Sequence, residues 1–359
     1  MSQAPQSGPA TTGQGLAIIG VILVAGLGLV VGLPMLSPQA SKEVVHVPVT
    51  ASPPTLKVPP DTGKDLFDAF EAGPPENVLV DPTDVALPNG YSIQPVAGQA
   101  GKLALLHNGK EVYTRGGGDH GERISIVSPI VAGESEPITG QLPLSRDITG
   151  DGVPDLILLD YTGGAHCCHQ YSILSLGKTF KKIADIDGKD SQVLFKDING
   201  DGVFELALAD ATFAYWNTAF SESPLPKVVL QFQDGKYALA RGLMSAPPPL
   251  PAMLAARLKA VRSEMRPSAD NPAALTIAPA LWNFMLDLIY SGNGDLAWKV
   301  FDQAWPDGAQ GWCPDSGEIT KEEFLSNFRK QLAESPYWLG IKELNHWSPM
   351  GDAGRLPRS

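Results

Sequence analysis

A nine-residue acidic motif occurs twice in the chain, fifty residues apart: DITGDGVPD at 147–155 and DINGDGVFE at 197–205. In each copy, oxygen-bearing side chains occupy the first, third, fifth and ninth positions, a spacing that suits a hard cation better than catalytic proton transfer. At the same shift, Arg146 matches Lys196 and the leucines, aspartate and threonine that follow each motif also match. The sequence therefore predicts two copies of one structural unit.

Each loop is predicted to surround a calcium ion. Carboxylates come from the first, fifth and ninth positions, a hydroxyl or amide oxygen from the third, and a backbone carbonyl from the seventh. The predicted ligands are Asp147, Thr149, Asp151, Val153 and Asp155 in the first loop, and Asp197, Asn199, Asp201, Val203 and Glu205 in the second. Because threonine is a weaker ligand than asparagine, we expect the first loop to bind less tightly. The alternative is that both loops are tight turns without an ion.

The residues after the loops distinguish two kinds of calcium protein. An EF-hand closes its loop with a glutamate at the twelfth position, where this chain has Leu158 and Leu208. These leucines lie in apolar runs, LILLDY and LALADA, that predict buried strands. Over about 142–213 the pattern resembles the FG-GAP repeat family, in which an integrin-type propeller blade has a DxDGDGxxD-like calcium loop followed by an apolar strand. The resemblance implies calcium at the ten ligand positions.

The number of blades stays open. Two clear repeats are too few for a closed propeller, so a partial propeller, a β-sandwich and a small β-array capped by helices are all compatible with the sequence. Turn dipeptides of the type-I′ kind predict hairpins at Asn89-Gly90, Asn108-Gly109 and Asp234-Gly235. Beyond 247 the apolar spacing becomes helical, with a helix hairpin turning at 291–294 and a capping box formed by Thr320 and Glu323.

The predicted fold class is an α+β multidomain protein with an N-terminal transmembrane helix, an all-β domain of propeller-blade-like repeats and a helical C-terminal domain. Composition divides the chain into six segments. They are a disordered tail (1–15), a transmembrane anchor or signal segment (16–36), a Pro-rich spacer (37–82), the β domain with both calcium loops (83–245), the helical domain (246–348) and a second disordered tail (349–359).

The segment 16–36 is an uncharged apolar run as long as a bilayer core requires. Secretory signals have a shorter apolar region and a charged start, and no Lys or Arg precedes Leu16, which favours an uncleaved anchor over cleavage near Ala40. The single Lys42 after the run would place the body in the cytoplasm under the positive-inside rule. Calcium is abundant outside the cytoplasm, so we expect a single-pass membrane protein with a periplasmic body.

A second group of candidate ligands lies in GGAHCCH at 163–169. Its four consecutive His and Cys residues cannot surround one tetrahedral ion, because neighbouring side chains on an extended strand point to opposite faces. At most two would share a metal with His120, and the candidates are His166, Cys167, Cys168 and His169. The competing interpretations are a vicinal disulfide between Cys167 and Cys168, a bridge from one of them to Cys313, and free thiols.

Bulk properties and the missing catalytic motifs limit the function. A formal net charge of −12 argues against a nucleic-acid surface, and the chain contains no GxSxG, HExxH or GxxxxGK motif. The sequence therefore predicts a membrane-anchored, extracytoplasmic calcium-binding protein, not an enzyme, that binds or scaffolds a protein or an envelope polymer. The alternative is a transition-metal hydrolase or redox accessory protein using His120, His166, Cys167 and Cys168.

Overall fold

The computed structural model describes residues 77–82, 85–116, 123–129, 144–164, 168–269 and 271–347. Its strands are β1 (Asn77–Val80), β2 (Val85–Ala86), β3 (Tyr91–Pro95), β4 (Leu103–His107), β5 (Lys110–Arg115), β6 (Arg123–Pro129), β7 (Asp155–Tyr161), β8 (His169–Ser175), β9 (Lys181–Lys189), β10 (Leu194–Lys196), β11 (Glu205–Ala209), β12 (Lys227–Gln233), β13 (Lys236–Leu239), β14 (Leu275–Thr276), β15 (Gly311–Cys313) and β16 (Gly317–Ile319). Its helices are α1 (Arg241–Met244), α2 (Pro251–Glu264), α3 (Pro279–Tyr290), α4 (Gly294–Ala304), α5 (Lys321–Ala333) and α6 (Trp338–Leu344).

The strands form three successive antiparallel sheets and one small sheet. Sheet I has the order β2-β3-β4-β5, sheet II the order β1-β6-β7-β8-β9, and sheet III the order β10-β11-β12-β13. Sheet IV, β14-β15-β16, lies among the helices and contains a parallel pair, β14 with β15. Apart from β1, the strands of sheets I to III therefore follow one another as up-and-down meanders.

Sheet II is buried on both faces, which explains the uninterrupted apolar run in β7. Leu156 and Leu158 point to one face and join a core with Tyr91 and other residues of sheet I. Ile157 and Leu159 point to the opposite face and join a core with sheet III and the helices. Because side chains alternate along a strand, a strand between two packed layers needs apolar residues at every position.

The predicted turns are confirmed where local chemistry determines them. Asn108 and Gly109, both with positive φ, join β4 to β5, and Asp234 and Gly235 join β12 to β13 in the same way. Positive φ at both central residues is the requirement of a type-I′ hairpin. Asn89-Gly90 likewise turns between the paired strands β2 and β3, within a short 3₁₀ segment.

The helices pack on sheet III in one continuous core that crosses the predicted domain boundary at 245–246. The rings of Phe213 and Phe328 have centroids 5.1 Å apart. A buried polar contact adds to this packing, because the Tyr290 hydroxyl donates to Asp210 Oδ2 at 2.6 Å and Ser335 Oγ donates to the same oxygen. The helix hairpin α3–α4 and the capping box of Thr320 with Glu323 are both present as predicted.

The predicted transmembrane helix is not supported. Within the part of the chain that the structure describes, no helix is long and apolar enough to cross a membrane. The longest described helix, α2, has 14 residues, which is about 21 Å of helix against a bilayer core of about 30 Å. The predicted fold class with its N-terminal transmembrane helix, and the predicted single-pass, periplasmic localisation, are therefore contradicted.

The segment 16–36, on which both predictions depended, lies outside the described residues, as do 1–15, 37–76 and 348–359. Its apolar run met the length criterion for a span, but length and hydropathy alone do not establish a membrane helix.

Candidate metal centre

The two acidic loops, loop 1 (147–155) and loop 2 (197–205), occupy equivalent places in neighbouring sheets. Loop 1 leads into β7 and loop 2 leads into β11. Arg146 pairs with Asp155 across the base of loop 1, and Lys196 pairs with Glu205 across the base of loop 2. The match at a shift of fifty residues is therefore a repeat of structure as well as of sequence.

Both loops are closed by the same four hydrogen bonds from backbone N–H groups to carboxylates. The first-position aspartate accepts from the fourth and sixth positions, at 2.7 and 2.7 Å in loop 1 and at 2.7 and 2.9 Å in loop 2. The fifth-position aspartate accepts from the seventh, at 2.8 Å in both loops. The ninth-position carboxylate accepts from the second, at 3.1 and 2.9 Å. Glycines at the fourth and sixth positions have positive φ, which permits this tight wrapping.

The ninth-position carboxyls lie at the buried base of the loops, where Asp155 and Glu205 are each 1% exposed. Burial raises the pKa of Asp155 to about 6, and the nearby carboxylates of Asp151 and Asp147 also raise it. Burial raises the pKa of Glu205 to about 7, with further contributions from Asp201 and Asp197. Each loop therefore contains a carboxyl group whose charged form is costly unless a positive charge lies beside it.

The loops differ in how the ninth-position carboxyl is satisfied. In loop 1, Thr149 Oγ1 donates to Asp155 Oδ2 at 3.0 Å, and Asp155 Oδ1 is buried with no hydrogen-bond partner among the described residues. In loop 2, the Asn199 amide donates to Asp201 Oδ2 at 2.9 Å and to Glu205 Oε1 at 3.3 Å. An amide N–H thus joins two carboxylates in loop 2, whereas loop 1 leaves one buried oxygen unpaired.

The loops also contact each other directly. The Phe204 N–H of loop 2 donates to the Ile148 carbonyl of loop 1 at 2.9 Å, and Ile148 is fully buried. At Gly150, an added Cβ atom would lie 2.7 Å from Val203 Cγ2, so the backbone of loop 1 packs tightly on a side chain of loop 2. The two loops therefore share one hydrogen bond and a close packing contact.

Tyr237 of β13 interacts electrostatically with both loops and was not predicted as a site residue. Its hydroxyl is buried and has no hydrogen-bond partner among the described residues. Burial raises the pKa of Tyr237, and the carboxyl groups of Asp155 and Glu205 raise it further. The pKa of this hydroxyl therefore depends on the charge of the ninth-position carboxyls of both loops. Strand alternation alone gives no signal for this role.

The side chains do not form a compact acidic cluster. Across the described ranges, no group of three or more His, Cys, Asp and Glu residues is placed to hold a metal ion. The carboxylates at the first and fifth positions accept hydrogen bonds from N–H groups of their own loop. The remaining predicted donors, at the third and seventh positions, are a hydroxyl, an amide and backbone carbonyls. The donor set nevertheless consists of oxygen alone and includes the unpaired Asp155 Oδ1, which fits a hard cation such as calcium.

The predicted second metal site is only partly described. His169 begins β8, with Nδ1 3.2 Å from the Lys189 carbonyl oxygen and its ring against Tyr161. Cys168 is disulfide-bonded, so its sulfur is not available as a thiolate ligand. His120, His166 and Cys167 lie outside the described residues.

Cys313 is separate from this group. It is a free, buried thiol whose pKa burial raises to about 12. A bridge from Cys313 to either of the paired cysteines is therefore not formed, and the vicinal disulfide of Cys167 and Cys168 stays a prediction.

No protein-family model, curated protein or solved structure matches this chain. The resemblance to FG-GAP repeats therefore depends on the loop motif and on the strands that follow it.

Proposed function

We propose that loops 1 and 2 each bind a calcium ion, and that the protein is a non-enzymatic binding or scaffolding module whose β-rich body the ions stabilise. The observation that supports this most directly is the buried Asp155 Oδ1, which has no hydrogen-bond partner among the described residues. A buried carboxylate oxygen without a partner is costly, and a cation at this position would remove that cost.

The charge of the paired loops also supports the proposal. Six carboxyl groups belong to two loops that are in direct backbone contact: Asp147, Asp151, Asp155, Asp197, Asp201 and Glu205. Burial raises the pKa of both ninth-position groups, and repulsion from the two other carboxylates of the same loop raises it further. One divalent cation in each loop would offset this repulsion and would favour the ionised form of all six groups.

A structural role for the loops is more consistent with their geometry than a catalytic one. The first- and fifth-position carboxylates accept hydrogen bonds from N–H groups of their own loop, which holds them as fixed acceptors. The ninth-position residues are also the first residues of β7 and β11. Ion binding would therefore order the start of two core strands. Binding surfaces are commonly built on loops that a rigid scaffold positions in this way.

Calorimetric titration of the chelator-treated full-length protein with calcium tests the proposal. We expect heat from up to two sites and a rise in the thermal midpoint, since a ligand at about 100 times its Kd stabilises the folded state by about 2.7 kcal/mol. Asp151→Ala and Asp201→Ala should each remove one site, and the double variant should remove both.

Asp307→Ala is the matched control, because Asp307 is an exposed aspartate in the turn after α4. This variant should titrate as the wild type does. The proposal fails if the wild type gives neither heat nor stabilisation, or if the double variant binds calcium as well as the control.

A further inference from the structure

The segment between α1 and α2, together with the first six residues of α2, forms an exposed apolar surface. All ten residues from 247 to 256, PPPLPAMLAA, are apolar, and eight of them are exposed. Leu250 is 67% exposed and Met253 is 62% exposed, although both are large hydrophobic residues. The continuous run, unlike single exposed leucines elsewhere, is the kind of surface that marks an interaction site.

The flanking backbone angles and the proline content indicate polyproline II geometry for 246–250. Ser245 has φ −68° and ψ 124°, and Leu250 has φ −58° and ψ 144°. Between them, three consecutive prolines fix φ near −65°, and each residue that precedes a proline is restricted to extended conformations. A polyproline II helix repeats every three residues, so residues three apart lie on one edge.

The backbone of Ala246, immediately before the prolines, is hydrogen-bonded to the body of the protein, although its side chain is exposed. The Ala246 N–H donates to the Ser291 carbonyl, and the Asn293 amide donates to the Ala246 carbonyl, both at 3.1 Å. Pro249, three residues later on the same edge, is half-buried. The two remaining edges are exposed and consist of Pro247 with Leu250 and Pro248 with Pro251. The segment is therefore presented in a fixed conformation with two parallel apolar ridges outward.

The stretch of chain that contains the ridges and α2 has a charge opposite to that of the whole chain. Residues 241–266 contain five basic residues and one acidic residue, in a protein of net charge −12. Arg241 and Arg257 form ion pairs with Glu343 and Asp287. The other three basic residues have no ion-pair partner among those described; they are Lys259, Arg262 and Arg266. A partner for this surface should therefore have an acidic rim.

We propose that the polyproline II segment from Pro247 to Pro251 is a docking ligand for a protein domain with an aromatic-lined groove and an acidic rim. Grooves of this kind bind polyproline II helices by placing two outward ridges between aromatic side chains. Because the prolines restrict the backbone of the segment and Ala246 anchors its start, docking would cost little ordering entropy. The inference does not depend on calcium binding.

Titration of two ¹⁵N-labelled probes, an SH3 domain with an acidic groove rim and a WW domain, with the full-length protein tests the proposal. We expect chemical-shift changes at the groove residues of at least one probe, and weaker binding as salt is raised. The outward variant Pro247→Ala/Leu250→Ala should bind that probe at least about tenfold more weakly.

The matched control is Pro249→Ala, which changes the inward edge and should bind within about twofold of the wild type. Equal thermal midpoints for all three proteins would show that the fold is intact. The proposal is overturned if neither probe shows groove shifts at millimolar protein, or if the outward and inward variants bind equally. It is also overturned if the outward variant abolishes self-association of the chain instead, since the surface would then contact a second copy.

Discussion

The raised pKa values of Asp155 and Glu205 predict that the calcium-free protein loses stability as the pH rises. For each group the folded pKa lies above the unfolded value: about 6 against 3.8 for Asp155, and about 7 against 4.5 for Glu205. The folded state therefore binds protons more tightly than the unfolded state. The stabilisation is fully present below about pH 4 and is lost as the pH rises through 6 and 7.

The size of the effect follows from these values. Between pH 5 and pH 8 the linkage relation gives a loss of about 1.4 kcal/mol from Asp155 and about 2.5 kcal/mol from Glu205. The free energy of unfolding should therefore fall by about 4 kcal/mol over this interval, a large fraction of the stability of an ordinary domain. Bound calcium should reverse the trend, since it requires both carboxyls in their ionised form.

Urea unfolding followed by tryptophan fluorescence, at four pH values from 5 to 8 and in excess chelator, measures this loss. The isosteric variant Asp155→Asn/Glu205→Gln cannot ionise at either position and should show a much flatter pH profile, which isolates these groups from other titrating residues. With saturating calcium, the wild type should be more stable at pH 8 than at pH 5. A wild-type profile that is flat or rising in chelator, or an equal slope in the variant, would refute the reasoning.

Three further predictions concern the loops and the core. Asn199→Asp should raise the calcium affinity of loop 2 in a calorimetric titration by about tenfold, because it replaces an amide that joins two carboxylates with a third charged ligand. Gly150→Ala should lower the free energy of urea unfolding by about 2 kcal/mol or more, because the added Cβ would clash with Val203 of loop 2 and because φ is positive at this position. Gly152→Ala also has a positive φ but has open space around its Cβ, so it should cost only about 1 kcal/mol. Tyr290→Phe should lower it by about 1–3 kcal/mol, because it removes a buried donor from Asp210.

The features that could be predicted from sequence are those that local chemistry determines. The hairpins at Asn108-Gly109 and Asp234-Gly235 follow from residues that accept positive φ. The capping box of Thr320 and Glu323 follows from the backbone N–H groups at the start of a helix, which have no acceptor within the helix. The alignment of the two repeats placed both loops before their strands and matched Arg146 with Lys196. In the structure these two residues occupy equivalent places, since Arg146 pairs with Asp155 and Lys196 pairs with Glu205.

The features that could not be predicted depend on contacts between distant parts of the chain. The run LILL in β7 indicates a buried strand, but it does not reveal that Leu156 faces sheet I while Ile157 faces sheet III. The core shared by sheet III and the helices depends on aromatic contacts such as that of Phe213 with Phe328, which are distant in sequence. The transmembrane helix, by contrast, was predicted from length and hydropathy alone, and no described helix is long and apolar enough to cross a membrane.

The position of the ninth residue of each loop explains why the ion-binding and folding roles of these loops are difficult to separate. Asp155 closes loop 1 and is also the first residue of β7, the strand that packs against both neighbouring layers. Glu205 does the same for β11 in sheet III. Any charge that forms on these carboxyls is therefore placed at the edge of the core. The same charge raises the pKa of Tyr237. A cation in the loops would thus determine the ionisation of the strand ends as well as the shape of the loops, so loss of calcium should reduce the stability of the whole β-rich body.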